Sequence, residues 1–178
     1  MLIKILLVVG ALIALVLLIA AFQPATFTVA RSTLISAPPA QLFAEVNDLH
    51  RWAAWSPYEK LDPAMKSTFE GASAGVGASY AWVGNNAVGS GKMTITESRP
   101  PEQVGLKLEF YKPMAGVSQA TFTFQPAGGQ TRVTWSMTGV NNYVGKIFCL
   151  FMNMDKMVGG QFAEGLASLK ANAEAGKK

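Results

Sequence analysis

Eighteen consecutive residues, Ile5 to Phe22, carry no charge and no side-chain hydrogen-bonding group. A small domain has no room to bury such a run whole, so it divides the chain into an apolar N-terminal segment and everything after it. As a helix it would be about 27 Å long, at about 1.5 Å per residue, close to the thickness of a bilayer core. Residues 1–23 are therefore expected to form a transmembrane anchor that crosses through residues 5–22, with residues 24–178 as a separate domain. A cleaved signal peptide shares the basic start and apolar centre, but has a core of about 7 to 15 residues and a small-x-small exit. Ile19-Ala20-Ala21 and Gln23-Pro24-Ala25 each put a large side chain at the first small position, which favours an uncleaved, single-pass anchor. The amino terminus and Lys4 against Arg31 give a slight basic bias. It places the N-terminus in the cytoplasm and the domain on the extracytoplasmic, periplasmic side.

About 155 residues remain, enough for one core that buries roughly 68 to 70% of the unfolded surface. The net charge of +4 is spread along the sequence, and the only adjacent basic pair is Lys177-Lys178, so no nucleic-acid stripe is present. The chain holds one histidine, His50, and one cysteine, Cys149. An intramolecular disulfide is impossible, a histidine-based metal site is not expected, and no cofactor is called for. Cys149, between Phe148 and Leu150, is expected to be packed rather than reactive.

The first strand is expected at Thr26 to Ile35, where polar residues interleave with Phe27, Val29 and Leu34 until Ser36-Ala37-Pro38-Pro39 stops it. Proline is tolerated in a first helical turn, and Leu42, Phe43 and Val46 follow at helical spacing. A second short piece, Leu49 to Ser56, carries Trp52 and Trp55 at i and i+3, so both indoles can cover one surface. Six runs of period two then follow between glycine or proline turns: Lys66 to Gly71, Ala78 to Gly84, Val88 to Ser98, Val104 to Tyr111, Val117 to Gln125 and Thr131 to Val140. The connections are short, so sequential strands should pair as an antiparallel meander. Parity puts Tyr80 with Trp82, Met93 with Ile95, Val104 with Leu106, Leu108 and Phe110, Ala120 with Phe122 and Phe124, and Val133 with Trp135 and Met137 on one face, leaving the other wet. From about Val144 to Ala175 no proline interrupts a wide apolar face, which predicts one long helix whose weak point is Gly159-Gly160. The expected class is α+β: a seven-stranded antiparallel sheet wrapped around a long C-terminal helix, preceded by one transmembrane helix, with an apolar cavity in whatever space remains.

Ordinary hydrolytic or transfer chemistry needs a nucleophile, a base and an orienting group, and no catalytic set is found. His50 reads as a turn residue. Gly71-Ala72-Ser73-Ala74-Gly75-Val76-Gly77 precedes a strand, whereas a phosphate loop precedes a helix, so it reads as a hairpin loop. Glu97 shares the inward parity of Met93 and Ile95 and could sit at a cavity mouth, although strand ends commonly turn to solvent. Asp155 is expected in a solvated ion pair. The positive signal is the aromatic and methionine content. Trp52, Trp55, Tyr80, Trp82, Met93, Phe110, Phe122, Trp135, Phe151, Met154 and Met157 are the candidate ligand-binding residues, with Phe124 and Met152 of the same kind. Core packing alone would use the same residues.

Several stretches carry a resemblance. They are Ile35-Ser36-Ala37-Pro38-Pro39, Val46-Asn47-Asp48 through Trp52 and Trp55-Ser56-Pro57-Tyr58-Glu59, Gly75-Val76-Gly77-Ala78-Ser79-Tyr80-Ala81-Trp82, Gly91-Lys92-Met93-Thr94-Ile95-Thr96-Glu97, Thr131-Arg132-Val133-Thr134-Trp135 and Met154-Asp155-Lys156-Met157. Across about residues 26 to 172 the chain resembles the helix-grip fold of the START/Bet v 1-like superfamily, and within it the bacterial SRPBCC or polyketide cyclase/dehydrase-like proteins. The resemblance implies a cavity under the long helix for a hydrophobic small molecule or lipid. No catalytic motif of the cyclase members carries over onto this chain. Three readings follow: a membrane-anchored binding or carrier module, a cyclase or dehydratase using Glu97, Tyr80 or Asp155, and a protein-interaction domain with a closed core.

Overall fold

The computed structural model of the chain describes residues 1–151 and 153–175, apart from the side chains of Phe148 and Cys149. The expected packing of Cys149, the expected ligand contact of Met152 and the Lys177-Lys178 tail lie outside them. Helix α1, Leu2–Ala21, is the apolar run, and it is followed after four residues by strand β1, Thr26–Ile35. Helix α2, Pro39–Asn47, starts on a proline whose missing N–H would be unpaired there anyway. A 3₁₀ turn, Leu49–Ala54, is capped by the Asp48 carboxylate accepting from His50 N at 3.0 Å, and helix α3, Pro57–Leu61, by Ser56 Oγ accepting from Tyr58 N at 3.4 Å.

Strands β2 (Lys66–Glu70), β3 (Ser79–Val83), β4 (Ser90–Arg99), β5 (Gln103–Lys112), β6 (Gly116–Ala127) and β7 (Gln130–Val140) follow as a meander. With β1 they form one antiparallel sheet of seven strands in the order β1-β7-β6-β5-β4-β3-β2. The turn from β2 to β3 holds Gly71, Gly75 and Gly77 at φ of 79°, 73° and 89°, a region that side chains disfavour. Helices α4, Tyr143–Phe151, and α5, Met154–Ala175, close the chain.

The register confirms the face assignment. Tyr80, Met93, Leu108 and Ser118 lie in one cross-strand row, and Ile95, Leu106, Ala120, Met137 and Val29 in the next. These residues lie on the side of the sheet that carries the helices, α2 over β5 and β6 and α5 over β1 and β7. Helix α5 runs alongside β1 in the same direction: Arg31 meets Asp155, Lys170 Nζ donates to Leu34 O at 2.9 Å, and Ser36 N donates to Glu174 Oε1 at 2.8 Å.

One local expectation needs correction, and the position of Glu97 is decided. The long C-terminal helix is divided into α4, which ends at Phe151, and α5, which begins at Met154, and the division does not fall at the glycine pair. Asn153 caps α5: its Oδ1 accepts from Lys156 N at 2.9 Å and its carbonyl from Met157 N at 3.0 Å. Helix α5 runs through Gly159-Gly160, where a Cβ at Gly159 would overlap the Arg31 guanidinium while one at Gly160 would meet nothing. The close approach is therefore at Gly159 alone. For Glu97 the solvent-facing reading holds. A bulge in β4 shifts the register from Ile95↔Leu106 to Glu97↔Gly105, and one extra residue reverses the faces beyond it. Ser98 turns inward, donating to Asn47 Oδ1 at 2.8 Å, while Glu97 points out to Arg99 Nε at 2.8 Å and accepts from Gln103 Nε2 at 2.8 Å.

Candidate functional site

The helix-facing side of the sheet has two ends of different character. At the end remote from α1, Trp52 and Trp55 from the 3₁₀ turn and its C-cap meet Phe122 of β6 and Trp135 of β7. Ring centroids lie 4.7 Å apart for Trp52–Trp55, 4.7 Å for Phe122–Trp135 and 4.0 Å for Trp135 on Phe162 of α5. All five rings are buried. Phe162 is not among the sequence-derived candidates, although its helical spacing places it on the apolar face. This end is filled by offset and edge-on aromatic packing.

Polar tips within the cluster are mostly satisfied. Trp52 Nε1 donates to Val46 O at 2.9 Å, and Trp55 Nε1 to Glu45 O at 3.4 Å. The Trp135 indole N–H is buried and has no partner, an unmet donor in an apolar surround.

At the end near α1, Tyr80, Trp82, Met93 and Phe110 occupy neighbouring positions on β3, β4 and β5: Tyr80 pairs with Met93, and Gly91 lies between Trp82 and Phe110. Tyr80 and Met93 are buried, but Trp82 and Phe110 are only half-buried, as are Phe27 and Leu108 on the same face and Val158 and Met154 on α5. The Trp82 ring lies over Gly91 and the Phe27 ring over Gly139, where a Cβ would collide with them. Trp82 Nε1 donates to Val88 O at 3.1 Å. Phe151 and Met157 are exposed, at 73% and 44%. The eleven candidates therefore divide into a closed aromatic floor, an incompletely covered apolar stretch, and the helix residues beside it.

A cleft of about 270 Å³ lies between the edge strand β1 and α5, bounded by Arg31, Ser32, Thr33, Ala163, Leu166, Ala167 and Lys170. None of the eleven candidates lines it. Its two cations are engaged, Arg31 by Asp155 and Lys170 by the Leu34 carbonyl.

The acid–base candidates are held apart. Glu97 faces outward. Asp155 is gripped by Arg31 through two contacts of 2.9 Å, and the hydrogen bonds from that guanidinium hold its carboxyl below the usual carboxylate range. Tyr80 Oη donates to Glu59 Oε1 at 3.2 Å, and desolvation, reinforced by that carboxylate, drives the phenol upward. Desolvation likewise pushes Tyr58 up to about 12. Both phenols stay protonated at neutral pH and are poor proton donors to substrate. His50 is exposed, with Nδ1 3.1 Å from Asp48 Oδ1 and its ring stacked on Phe69 at 4.2 Å. Among the described residues, no group of three or more His, Cys, Asp or Glu is placed to hold a metal ion.

A seven-stranded antiparallel sheet packed against a C-terminal helix, with two short helical pieces after the first strand, defines the helix-grip class. The chain belongs to the family described as polyketide cyclase / dehydrase and lipid transport, whose model matches residues 26–174. Solved structures agree on the fold. The Aha1 dimer from Colwellia psychrerythraea is similar at TM-score 0.57 and 19% identity, covering 85% of this chain and 99% of that one. The di-domain ARO/CYC BexL from the BE-7585A biosynthetic pathway is similar at TM-score 0.61 and 13% identity, covering 88% of this chain and 52% of that one. Ara h 8.0201 is similar at TM-score 0.56 and 13% identity, covering 83% of this chain and 99% of that one. No curated protein matches the chain.

Proposed function

We propose that this chain is a membrane-anchored module that binds or carries an apolar small molecule or lipid between the sheet and the C-terminal helices. One observation carries the reading: burial on the helix-facing side of the sheet is uneven. The remote end is sealed by Trp52, Trp55, Phe122, Trp135 and Phe162, whereas Trp82, Leu108 and Phe110, near α1, remain half-covered. A domain with a fully closed core would cover them, since each buried apolar side chain contributes about 1.5 to 3 kcal/mol.

In this reading the sealed aromatic cluster is the floor of the site. Tyr80, Trp82, Met93 and Phe110 line one wall, and Met154, Met157 and Phe151 stand on the other. Methionine and aromatic side chains adapt to varied apolar shapes. The unmet Trp135 N–H gives the floor one donor for a carbonyl, hydroxyl or water. Residues 1–23 are the anchor and residues 24–178 the binding domain, with the domain on the periplasmic side. The family description, which includes lipid transport, supports the ligand class. Tethering keeps the site at high effective concentration near membrane-soluble ligands.

The test is quenching of tryptophan fluorescence by a brominated fatty acid, added to the full chain held in amphipol. The reading predicts saturable quenching, with the apparent affinity lowered at least tenfold in Leu108→Trp, which fills the half-covered stretch. Quenching that never saturates, or that Leu108→Trp leaves unchanged, would remove the assignment.

A further inference from the structure

The strands are antiparallel, so register alone decides which strand ends share one edge of the molecule. The start of β1 lies beside the end of β7, through Thr26↔Val140, and across the sheet it meets the β5–β6 turn and the end of β3. At this edge Val83, Tyr111, Met114, Val117 and Val140 are exposed by 40 to 71%. Helix α4 adds Tyr143, Val144 and Phe151, exposed by 47, 60 and 73%. Among the described residues outside α1 and its flanking Met1 and Phe22, the large apolar side chains exposed elsewhere are Leu61, Phe69, Val76 and Met157. Soluble surfaces rarely gather apolar side chains in this way.

The same edge is where α1 arrives. Four residues, Phe22 to Ala25, join α1 to β1, and an extended chain of that length reaches at most about 14 Å. Tyr143 Oη donates to Leu17 O at 2.6 Å, four residues inside the end of α1 and hence about 6 Å along its axis. That is the level at which tyrosine settles in a bilayer interface. Lys66 and Lys112, both exposed, and the half-buried Lys146 belong to the same end. Cations placed there suit anionic headgroups.

We infer that this edge of the domain, made of α4 and the β5–β6 turn, is seated in the headgroup layer of an anionic bilayer beside α1, so that the half-covered stretch of the proposed site opens toward lipid. The inference rests on α1 being a membrane anchor, and the occupant it commits to is lipid rather than a second protein. Seating buries the apolar side chains that the fold leaves exposed and adds an attraction that salt weakens.

The experiment uses the full chain in nanodiscs containing phosphatidylglycerol. Nitroxide labels are placed singly at Val8, Met114, Phe151 and Gly128, in a Cys149→Ser background, and relaxation by oxygen is compared with relaxation by a water-soluble nickel chelate. Labels at Val8, Met114 and Phe151 are expected to favour oxygen, and the label at Gly128, at the remote edge, the nickel chelate. Oxygen preference at Val8 with nickel preference at Met114 and Phe151 would overturn the seating while leaving the anchor intact. Nickel preference at Val8 would overturn the anchor, and the seating with it. A photoactivatable phospholipid gives an independent reading on the unsubstituted chain: adducts should map to the peptides containing Met114 and Phe151, and adducts confined to α1 would overturn the seating.

Discussion

Phe162 and Phe110 are both aromatic residues on the inner side of the grip, yet their surroundings assign them different work. Phe162 is 2% exposed and stacks on Trp135 at 4.0 Å. Phe110 is half-buried and touches the edge of Trp82 at 6.0 Å. Phe162→Ala should therefore cost about 3 to 5 kcal/mol by chemical denaturation. Phe110→Ala should cost well under half of that and weaken ligand binding instead. Equal stability losses would mean that both belong to one closed core. A second residue-scale prediction concerns Asp155. Its carboxyl, held low by Arg31, titrates below the usual value of about 3.9. Any stabilisation from the pair is fully present above that value and lost as pH falls through the lowered one. Gly159→Ala would push the Arg31 guanidinium aside, so the Asp155 titration followed by carbon-detected NMR should move back up. An unmoved midpoint would show that Arg31 finds another way to reach it.

At the scale of elements, α5 starts on an asparagine cap. Asn153 satisfies the Lys156 N–H at the start of α5, so Asn153→Ala should cost about 1 kcal/mol, whereas Asn153→Asp should cost nothing, because a carboxylate also suits a helix N-terminus. Thermal unfolding of the two variants checks this, and a larger loss in Asn153→Asp would contradict the capping role. The division between α4 and α5 also shows where sequence reasoning stops. The strands, their faces and the closing helical region were legible, because period-two alternation between Gly and Pro turns leaves few alternatives. The helix break was not, because glycine marks helical weakness more visibly than an asparagine cap does. The outward turn of Glu97 was legible only from the tendency of strand ends to reach solvent, since parity counts fail beyond a bulge and the bulge at Thr96 has no glycine or proline to announce it. The inward position of the aromatic and methionine residues on the strands was legible, whereas Phe151 and Met157 on the helices are exposed. What could not be read was which of them seal the floor, because that depends on Phe162 reaching across from α5.

At the scale of the whole molecule, the apolar helix α1, the exposed apolar edge and the half-covered inner stretch lie at the same end of the grip. The domain is thus graded from a sealed aromatic end to an open end beside α1. A carrier needs both, since the sealed end supplies stability independent of ligand and the open end admits it. Adding an apolar ligand should raise the unfolding temperature of the full chain by mass action, and should do so less in Leu108→Trp. The most direct test of the carrier role is native mass spectrometry of the full chain released from detergent, followed by extraction and identification of whatever accompanies it. A lipid or other apolar molecule retained at one copy per chain, and lost in Leu108→Trp, is the predicted result. A bare protein mass that takes up no added fatty acid or phospholipid would contradict that role and point to a domain whose core is closed.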